Sequence, residues 1–221
     1  MRGLAFPFCI VALLPAACVS DEPSVASPDV LKTTAFIRIA DRIFAAPVAE
    51  VRTVTDKGDC NCVSYSPFDE DTGKRDAERL AQDAKQWSKP IEAGYVAISP
   101  GNKYDCVASP KSWQCRAKGL GIPDSLPQGF MIADTGSLKQ FSAHFTVGGE
   151  RVSDRLAAIA PINGKPKIAC DKQSKFCTAA VALSPRVIAV WYVWPKDHPS
   201  ETPMAMAIRQ GEAISRVANG S

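Results

Sequence analysis

The sequence predicts an α+β protein: a mainly antiparallel β domain, a sandwich or barrel, over residues 93–221, preceded by two helices and stapled by disulfides. Three observations predict this architecture. Short β-branched or apolar runs alternate with Gly and Pro turn signals in the C-terminal part, as in antiparallel sheets. Before residue 92, apolar residues recur instead at helical spacing in two stretches. Six cysteines beyond residue 18 complete the pattern, because an even number is typical of a disulfide framework.

The first 18 residues predict that the chain is exported. Arg2 precedes an apolar run from Leu4 to Leu14, and small residues follow, which is the layout of a secretory signal peptide. A bilayer span needs about 20 apolar residues and this run has about 11, so we do not expect a transmembrane helix. The ending "LLPAAC" resembles a bacterial lipoprotein cleavage box and predicts Cys18 as the lipidated first residue of the mature chain.

Two alternatives to lipidation stay open. Pro15 stands where the cleavage box prefers Leu, so ordinary cleavage after Cys18 or Ser20 competes with lipidation, and a segment that is never cleaved is the other alternative. Lipidation predicts a protein of the periplasm or outer membrane with the membrane as partner, and ordinary cleavage predicts a secreted protein. Loss of residues 1–18 lowers the net charge from +3 to +2, which does not favour a nucleic acid partner.

The mature chain is predicted to begin with a tether and a helix. The polar, Pro-containing residues 19–29 form the tether, and residues 30–92 form a helical and strand segment that contains a Cys-x-Cys motif. Ser27 and Pro28 are a helix-start signal, and apolar spacing predicts a helix over residues 28–45. A rival interpretation makes "TTAFIRIA" a strand.

Two further elements are predicted before residue 92. "VAEVRTVT" is β-branched and alternates weakly, so it predicts a strand. "DTGKRDAERLAQDAKQWSKP", residues 71–90, is rich in good helix formers and ends at a proline, so it predicts the second helix.

The C-terminal domain is predicted to be a succession of short strands. "YVAIS" predicts a strand, "YDCVASPKSWQCRAK" two arms around a Ser-Pro turn, and "GFMIADTGSLKQFSAHFTVGGERVSD" three strands. Asn163-Gly164 is a strong hairpin turn. "RVIAVWYVWP" predicts a strand, "TPMAMAIRQ" alternates like one, and "GEAISRVA" predicts a closing turn of helix.

The cysteines of this domain predict two local disulfides. Cys106 and Cys115 flank a polar turn between two strand-like arms, and so do Cys170 and Cys177. Opposed Cβ atoms of antiparallel strands lie about 4.5–5.5 Å apart, close to what a disulfide needs. We therefore favour the pairs Cys106–Cys115 and Cys170–Cys177 among the connectivities that six cysteines allow.

Cys60 and Cys62, in "DKGDCNCVSYSP", are the remaining disulfide candidates. A bridge between them would close a strained, easily reduced ring, long-range bridges would pin the N-terminal segment to the β domain, and a free dithiol would be redox-active. Neighbouring aspartates oppose thiolate formation, so we expect a cross-linking role. With His144 and His198 these cysteines could supply four zinc ligands, but the spacing matches no zinc module, and we expect no metal and no cofactor.

The aromatic strand "VWYVWP" is the candidate ligand-binding element. Strand alternation places Trp191 and Val193 on one face and Val190, Tyr192 and Trp194 on the other. One face belongs to the core, and an exposed second face would present aromatic rings to a ligand or partner. We therefore take the three aromatic residues as candidate ligand-binding residues. No catalytic residue is identified, since the chain has only 2 histidines and no G-x-S-x-G motif.

From about Tyr95 to the end, the chain resembles a known family. "YDC…QC" followed by "INGKPKIACDKQSKFCTAAVAL" is similar to exported bacterial proteins of the invasion-associated locus B type, which have two close cysteine pairs flanking a β-rich body. The resemblance covers about 125 residues and leaves out the N-terminal helices and the Cys-x-Cys motif. It implies an envelope protein linked to host entry and supplies no catalytic residue.

These observations predict an exported bacterial envelope lipoprotein whose non-catalytic, disulfide-stabilised β domain has a protein-binding or cell-surface role. The expected partner is an envelope or host protein. One alternative is a periplasmic enzyme or thiol-exchange protein that uses Cys60 and Cys62. The other is a binder of glycans or small ligands that uses the aromatic strand over residues 190–194.

Overall fold

The chain folds as an α+β protein with mostly antiparallel sheets and two disulfides in a computed structural model, as the sequence predicts. The structure describes residues 26–55, 65, 67, 72–86, 89–101, 105–137, 146–147, 150–151, 166–170, 176–197 and 199–220. Within these residues the sheets are not closed into a barrel.

Four helices and eleven strands lie in the described residues. The helices are α1 Pro28–Lys32, α2 Gly73–Gln86, α3 Trp113–Gly119 and α4 Pro203–Asn219. The strands are β1 Thr34–Ile39, β2 Arg42–Pro47, β3 Val51–Thr55, β4 Ile91–Ala93, β5 Tyr95–Ile98, β6 Phe130–Asp134, β7 Thr146–Val147, β8 Glu150–Arg151, β9 Lys167–Cys170, β10 Cys177–Ser184 and β11 Val187–Val193. Short 3-10 helices occupy Val48–Glu50, Thr135–Ser137 and Pro195–Asp197.

The main sheet has six strands in the order β3-β5-β6-β11-β10-β9, and all of its neighbours are antiparallel. A smaller sheet, β2-β1-β4, contains the parallel pair β1–β4, and β7 pairs with β8. β3 pairs with β5, and the larger buried core includes residues from Ala26 to Ala218. Strand pairing and core packing therefore both cross the boundary expected near residue 93.

The helix predicted over residues 28–45 is wrong for most of its length. α1 has the expected Ser27 cap, but β1 and β2 follow it as an antiparallel hairpin. In β1, Ile37 and Ile39 are buried and Phe36 is exposed, so the pattern has the period of a strand. The rival strand interpretation of "TTAFIRIA" is confirmed, because β-branched residues fit the pleated conformation well.

Two segments of the C-terminal part are helices where the sequence predicts strands. In "YDCVASPKSWQCRAK", α3 begins after Ser112, whose Oγ accepts a hydrogen bond from the backbone N–H of Cys115. "TPMAMAIRQ" belongs to α4, which is capped by Thr202 and has Pro203 at its start. Ala and Met are good helix formers, and the buried residues of α4 recur every three or four positions, so the helical period prevails over the apparent alternation.

The other elements in the described residues agree with the sequence. The second helix corresponds to α2, which buries Ala77, Leu80 and Ala81, and the strands of "VAEVRTVT", "YVAIS" and "RVIAVWYVWP" correspond to β3, β5 and β11. The Asn163-Gly164 turn and residues 1–25 lie outside the described residues.

A buried carboxylate holds α3 against the start of β3. Glu50 is fully buried and accepts hydrogen bonds from Ser112 Oγ at 2.7 Å and from the backbone N–H of Trp113 at 2.9 Å. The first N–H groups of a helix have no intrahelical partner, so this carboxylate satisfies one of them. Burial raises the pKa of Glu50, and the hydrogen bonds from Trp113 and Ser112 lower it in part.

Candidate functional site

β11 divides its side chains between the two faces of the main sheet. Trp191 and Val193 are buried in the larger core, whereas Val190 belongs to a smaller cluster against which Tyr192 packs. The face assignment predicted from strand alternation is confirmed for these four residues. Trp194 follows the strand, is 40% exposed, and has its ring centroid 6.3 Å from that of Tyr192.

Tyr192 and Trp194 form an aromatic cluster with Phe176, a residue that is not among those predicted from the sequence. The ring centroid of Phe176 lies 5.9 Å from that of Tyr192 and 5.4 Å from that of Trp194. Phe176 directly precedes Cys177, whose disulfide to Cys170 joins β10 to β9. The disulfide therefore fixes the start of β10, which Phe176 directly precedes.

A cavity of about 450 Å³ opens beside the aromatic cluster, at one end of the main sheet. Small-molecule sites typically have volumes of about 300–1,000 Å³. Its wall comes from the ends of β5 and β11, the starts of β6 and β10, the segment 124–129, and the first turns of α4. Apolar and aromatic side chains make up much of this wall, among them Leu126, Met131, Val190, Tyr192, Trp194 and Met206.

The cavity lies where β6 is shorter than its neighbour β11. β11 pairs with β6 only as far as Trp191, opposite Phe130, but it pairs with β10 as far as Val193, opposite Cys177. Before Phe130 the chain runs outside the sheet, so the end of β11 has no strand beside it on the β6 side in the described sheet. Side chains from both faces of the sheet reach the cavity wall at this gap.

Hydrogen bonds fix the segment that precedes β6 at the cavity. Ser99 Oγ donates to the carbonyl oxygen of Gln128 at 2.9 Å, and Arg209 Nη1 donates to the carbonyl oxygen of Asp124 at 3.1 Å. The Nη2 of Arg209 also lies 2.8 Å from Oε2 of Glu201. The wall is thus tied to β5 on one side and to α4 on the other, and such pre-organisation reduces the cost of ordering on binding.

Trp191 holds α4 on the sheet and contributes its ring to the cavity wall. Its Nε1–H donates to Oε1 of Gln210 at 2.8 Å. At Gly211 an added Cβ would lie 3.2 Å from the Trp191 ring and 3.2 Å from Cβ of Pro166, so a side chain at this position would force its neighbours to shift by a few tenths of an ångström. Of the three aromatic candidates, Trp191 is therefore mainly a structural residue, and Tyr192 and Trp194 have the more open rings.

Two polar side chains of the cavity wall are buried. Thr178 is 1% exposed, and among the described residues its Oγ1 has no hydrogen-bond partner. Gln210 uses its Oε1 to accept from Trp191, and because an indole N–H can only donate, this bond orients the amide with its NH₂ group available as a donor. Neither residue is among those predicted from the sequence; the one weak indication is that Thr178 follows Cys177 in a run of small residues.

The inner wall of the cavity is uncharged. Its two charged residues, Arg52 and Asp124, are both exposed and remain in contact with solvent. Burial raises the pKa of Tyr192, so its phenol stays protonated at neutral pH. The cavity therefore offers aromatic rings, aliphatic and thioether side chains, and neutral hydrogen-bonding groups.

Both local disulfides predicted from the sequence are confirmed. Cys106 and Cys115 join the loop before α3 to α3 itself, with an S–S distance of 2.14 Å. Cys170 and Cys177 are directly opposite each other on β9 and β10, with an S–S distance of 2.03 Å. The second bridge thus spans two antiparallel strands as expected, whereas the first ends on a helix.

The remaining candidate residues lie outside the described residues: Cys18, Cys60, Cys62, His144 and His198. In the part of the chain that the structure describes, no three His, Cys, Asp or Glu residues come together as a metal site would require. A helix with the length and apolarity to cross a membrane is likewise not found among the described residues.

Comparisons with known protein families, with curated proteins and with solved structures give no match to this chain. The resemblance to invasion-associated locus B-type proteins therefore stays a prediction. A function has to be argued from the chemistry of the cavity itself.

Proposed function

We propose that this chain is an exported envelope protein that binds a small, mainly apolar molecule at the end of its main sheet. One observation carries the proposal: the rings of Tyr192 and Trp194 stand in the wall of a cavity of about 450 Å³. Concave, mostly apolar cavities with a few polar groups are the usual form of small-molecule sites.

Among the roles that the sequence leaves open, this geometry favours the small-ligand binder over the protein binder. Protein interfaces are typically broad surfaces, whereas here the aromatic residues border a concave space. Catalysis would need an acid, a base or a nucleophile inside the cavity. The charged residues of the wall, Arg52 and Asp124, are exposed, and its inner part is neutral, which supports binding without chemical change.

Export is part of the proposal and has its own support. Two disulfides are formed, and disulfides persist mainly in oxidising compartments such as the periplasm. The first 18 residues have the layout of a signal peptide ending at Cys18, which we propose as the lipid anchor at the periplasmic side of the envelope. Mass spectrometry of the mature N-terminus checks this: a diacylated Cys18 supports the anchor, and an N-terminus beyond Cys18 contradicts it.

Binding can be tested with the neutral fluorescent probe N-phenyl-1-naphthylamine on the oxidised full chain. We expect Trp194→Ala to weaken the binding of the probe by about tenfold, because the variant loses an aromatic side chain from the wall of the cavity. Phe36→Ala is a matched control, since Phe36 is 46% exposed and Trp194 is 40% exposed, but Phe36 lies on β1 away from the cavity. Absence of probe binding to the wild type, or an equal loss in both variants, would contradict the proposal.

A further inference from the structure

We infer that the side-chain amide of Gln210 selects the ligand of the cavity, and that this ligand is a neutral, mainly apolar molecule carrying a carbonyl group, such as a ketone or an ester. The NH₂ group of Gln210 donates the hydrogen bond that the carbonyl oxygen accepts. This inference rests on the proposed function, because it names a class of ligand for the same cavity and the residue that recognises it.

Gln210 is the polar exception on the buried side of α4. The other buried residues of this helix, among them Met206, Ala207 and Ile214, have no polar side chain. Met206 lies four residues before Gln210, on the same side of the helix, and both residues line the cavity. Gln210 is 8% exposed, so its amide is enclosed by the protein and lies at the cavity wall.

The two ends of the Gln210 amide differ in their partners. Oε1 accepts from Trp191 Nε1 at 2.8 Å. Because an indole N–H is only a donor, this bond determines which end of the amide carries the oxygen. Nε2 has no hydrogen-bond partner among the described residues, and unlike the enclosed Thr178 Oγ1 it keeps surface that a small molecule can reach. The reachable end of the amide is therefore a donor with a fixed orientation.

A structural role explains the oxygen of this amide but not its nitrogen. A carboxylate at position 210 would also accept from Trp191, so that bond does not require the NH₂ group. In the free protein, water can accept from an accessible NH₂ group, but a ligand that fills the cavity displaces this water. The ligand then has to supply an acceptor itself, because donors buried without a partner weaken binding.

A neutral carbonyl group is the acceptor that suits this cavity. An ionised carboxylate inside it would lose its hydration without a counter-ion, because the charged residues Arg52 and Asp124 are exposed and opposite in sign. A hydroxyl group brings a proton that needs a further acceptor, whereas the oxygen of a ketone or an ester only accepts. The remainder of the ligand is apolar, since apolar and aromatic side chains make up much of the wall.

The test compares two probes of nearly the same shape, 2-acetylnaphthalene and 2-isopropenylnaphthalene, in which the C=O group of the ketone is replaced by C=CH₂. Both dissociation constants are measured by displacement of N-phenyl-1-naphthylamine from the oxidised full chain. In Gln210→Met we expect the preference for the ketone over the alkene to fall about fivefold below its wild-type value, a change of about 1 kcal/mol. Because the two probes fill the same space, a general change of the cavity affects both and leaves this preference as it is.

A second variant separates the donor from the structural bond to Trp191. Gln210→Met also removes the acceptor of the Trp191 N–H, which lowers stability. In Gln210→Glu an ionised carboxylate still accepts from Trp191 but has no hydrogen to donate, so we expect the same fall in preference. The control is Gln82→Met, since Gln82 is exposed on α2 and does not line the cavity, and it should keep the wild-type preference.

Each remaining outcome is decisive. A wild-type preference in either Gln210 variant overturns the role of Gln210, while the proposed function stands as long as Trp194→Ala still weakens the binding of N-phenyl-1-naphthylamine. Tighter binding of 2-naphthoate than of 2-acetylnaphthalene to the wild type overturns the neutral ligand class. If neither N-phenyl-1-naphthylamine nor the two naphthalene probes bind the wild type, the proposed function falls together with the inference.

Discussion

The region around Glu50 and the region around Thr178 each contain a buried polar side chain, but they differ in whether its hydrogen bonds are made. Glu50 is 0% exposed and accepts from Ser112 Oγ and from the Trp113 backbone. Thr178 is 1% exposed, and its Oγ1 has no partner in the described part of the chain. Burial alone therefore does not define a role: a satisfied buried group ties elements together, whereas an unsatisfied one costs stability without joining any element to another.

The largest expected effect comes from removing the satisfied group. In Glu50→Ala, Ser112 Oγ and the Trp113 N–H lose their acceptor inside the protein, so we expect the free energy of unfolding to fall by about 3–5 kcal/mol in urea unfolding experiments. The control is Glu92→Ala, because the exposed Glu92 lies 2.9 Å from Arg38, and such pairs contribute about 1 kcal/mol or less. Similar losses in both variants would refute the structural role of Glu50.

Removing the disulfides should have the next largest effect on stability. It should also distinguish the region around α3 from the region around the cavity, because each contains one of the two bridges. We expect Cys170→Ala/Cys177→Ala and Cys106→Ala/Cys115→Ala each to lower the free energy of unfolding by about 2–3 kcal/mol, because each bridge closes a short loop in the unfolded chain. Only loss of the Cys170–Cys177 bridge should also weaken binding of the fluorescent probe, since Cys177 directly precedes Thr178, a residue of the cavity wall. Equal loss of probe binding in the two double variants would contradict this difference.

The smallest expected effect is the pH dependence that Glu50 introduces. Burial raises its pKa in the folded protein above the ordinary value of 4.5, so the folded state holds this proton to higher pH than the unfolded state does. The wild type should therefore lose stability relative to Glu50→Gln as the pH rises from about 4.5 through the folded-state pKa. Urea unfolding of both proteins at several pH values checks this sign, and a relative gain of the wild type over that interval would contradict it.

Local patterns in the sequence predict α2, β3, β5, β11 and both observed disulfides, because neighbouring residues determine these features. They fail for the first half of α4, where "PMAMA" imitates the alternation of a strand although Met and Ala favour helices, whereas the closing turn of helix predicted for "GEAISRVA" is confirmed as part of α4. They also fail for α3, whose only local signal is the Ser112 cap.

The candidate site is predicted only in part, for a different physical reason. Tyr192 and Trp194 are visible in the sequence as aromatic residues of one strand face, but the cavity beside them depends on β6 beginning only at Phe130, opposite Trp191, while β11 continues to Val193. The isolation of Thr178 depends on which residues the register places opposite it. Both are consequences of strand pairing between distant segments, which a local pattern does not contain.

The most direct test of the ligand site is a nuclear magnetic resonance titration of the tryptophan indole N–H signals with 2-naphthol. The chain has 4 tryptophans, and assignment by Trp→Phe variants distinguishes Trp194, Trp191 and Trp113. Binding in the cavity predicts the largest shift at Trp194, a smaller one at Trp191, and the smallest of the three at Trp113, which is fully buried and does not line the cavity. A shift at Trp113 as large as that at Trp194, or unmoved indole signals in a sample that calorimetry shows to be saturated, would place the ligand elsewhere and contradict the account.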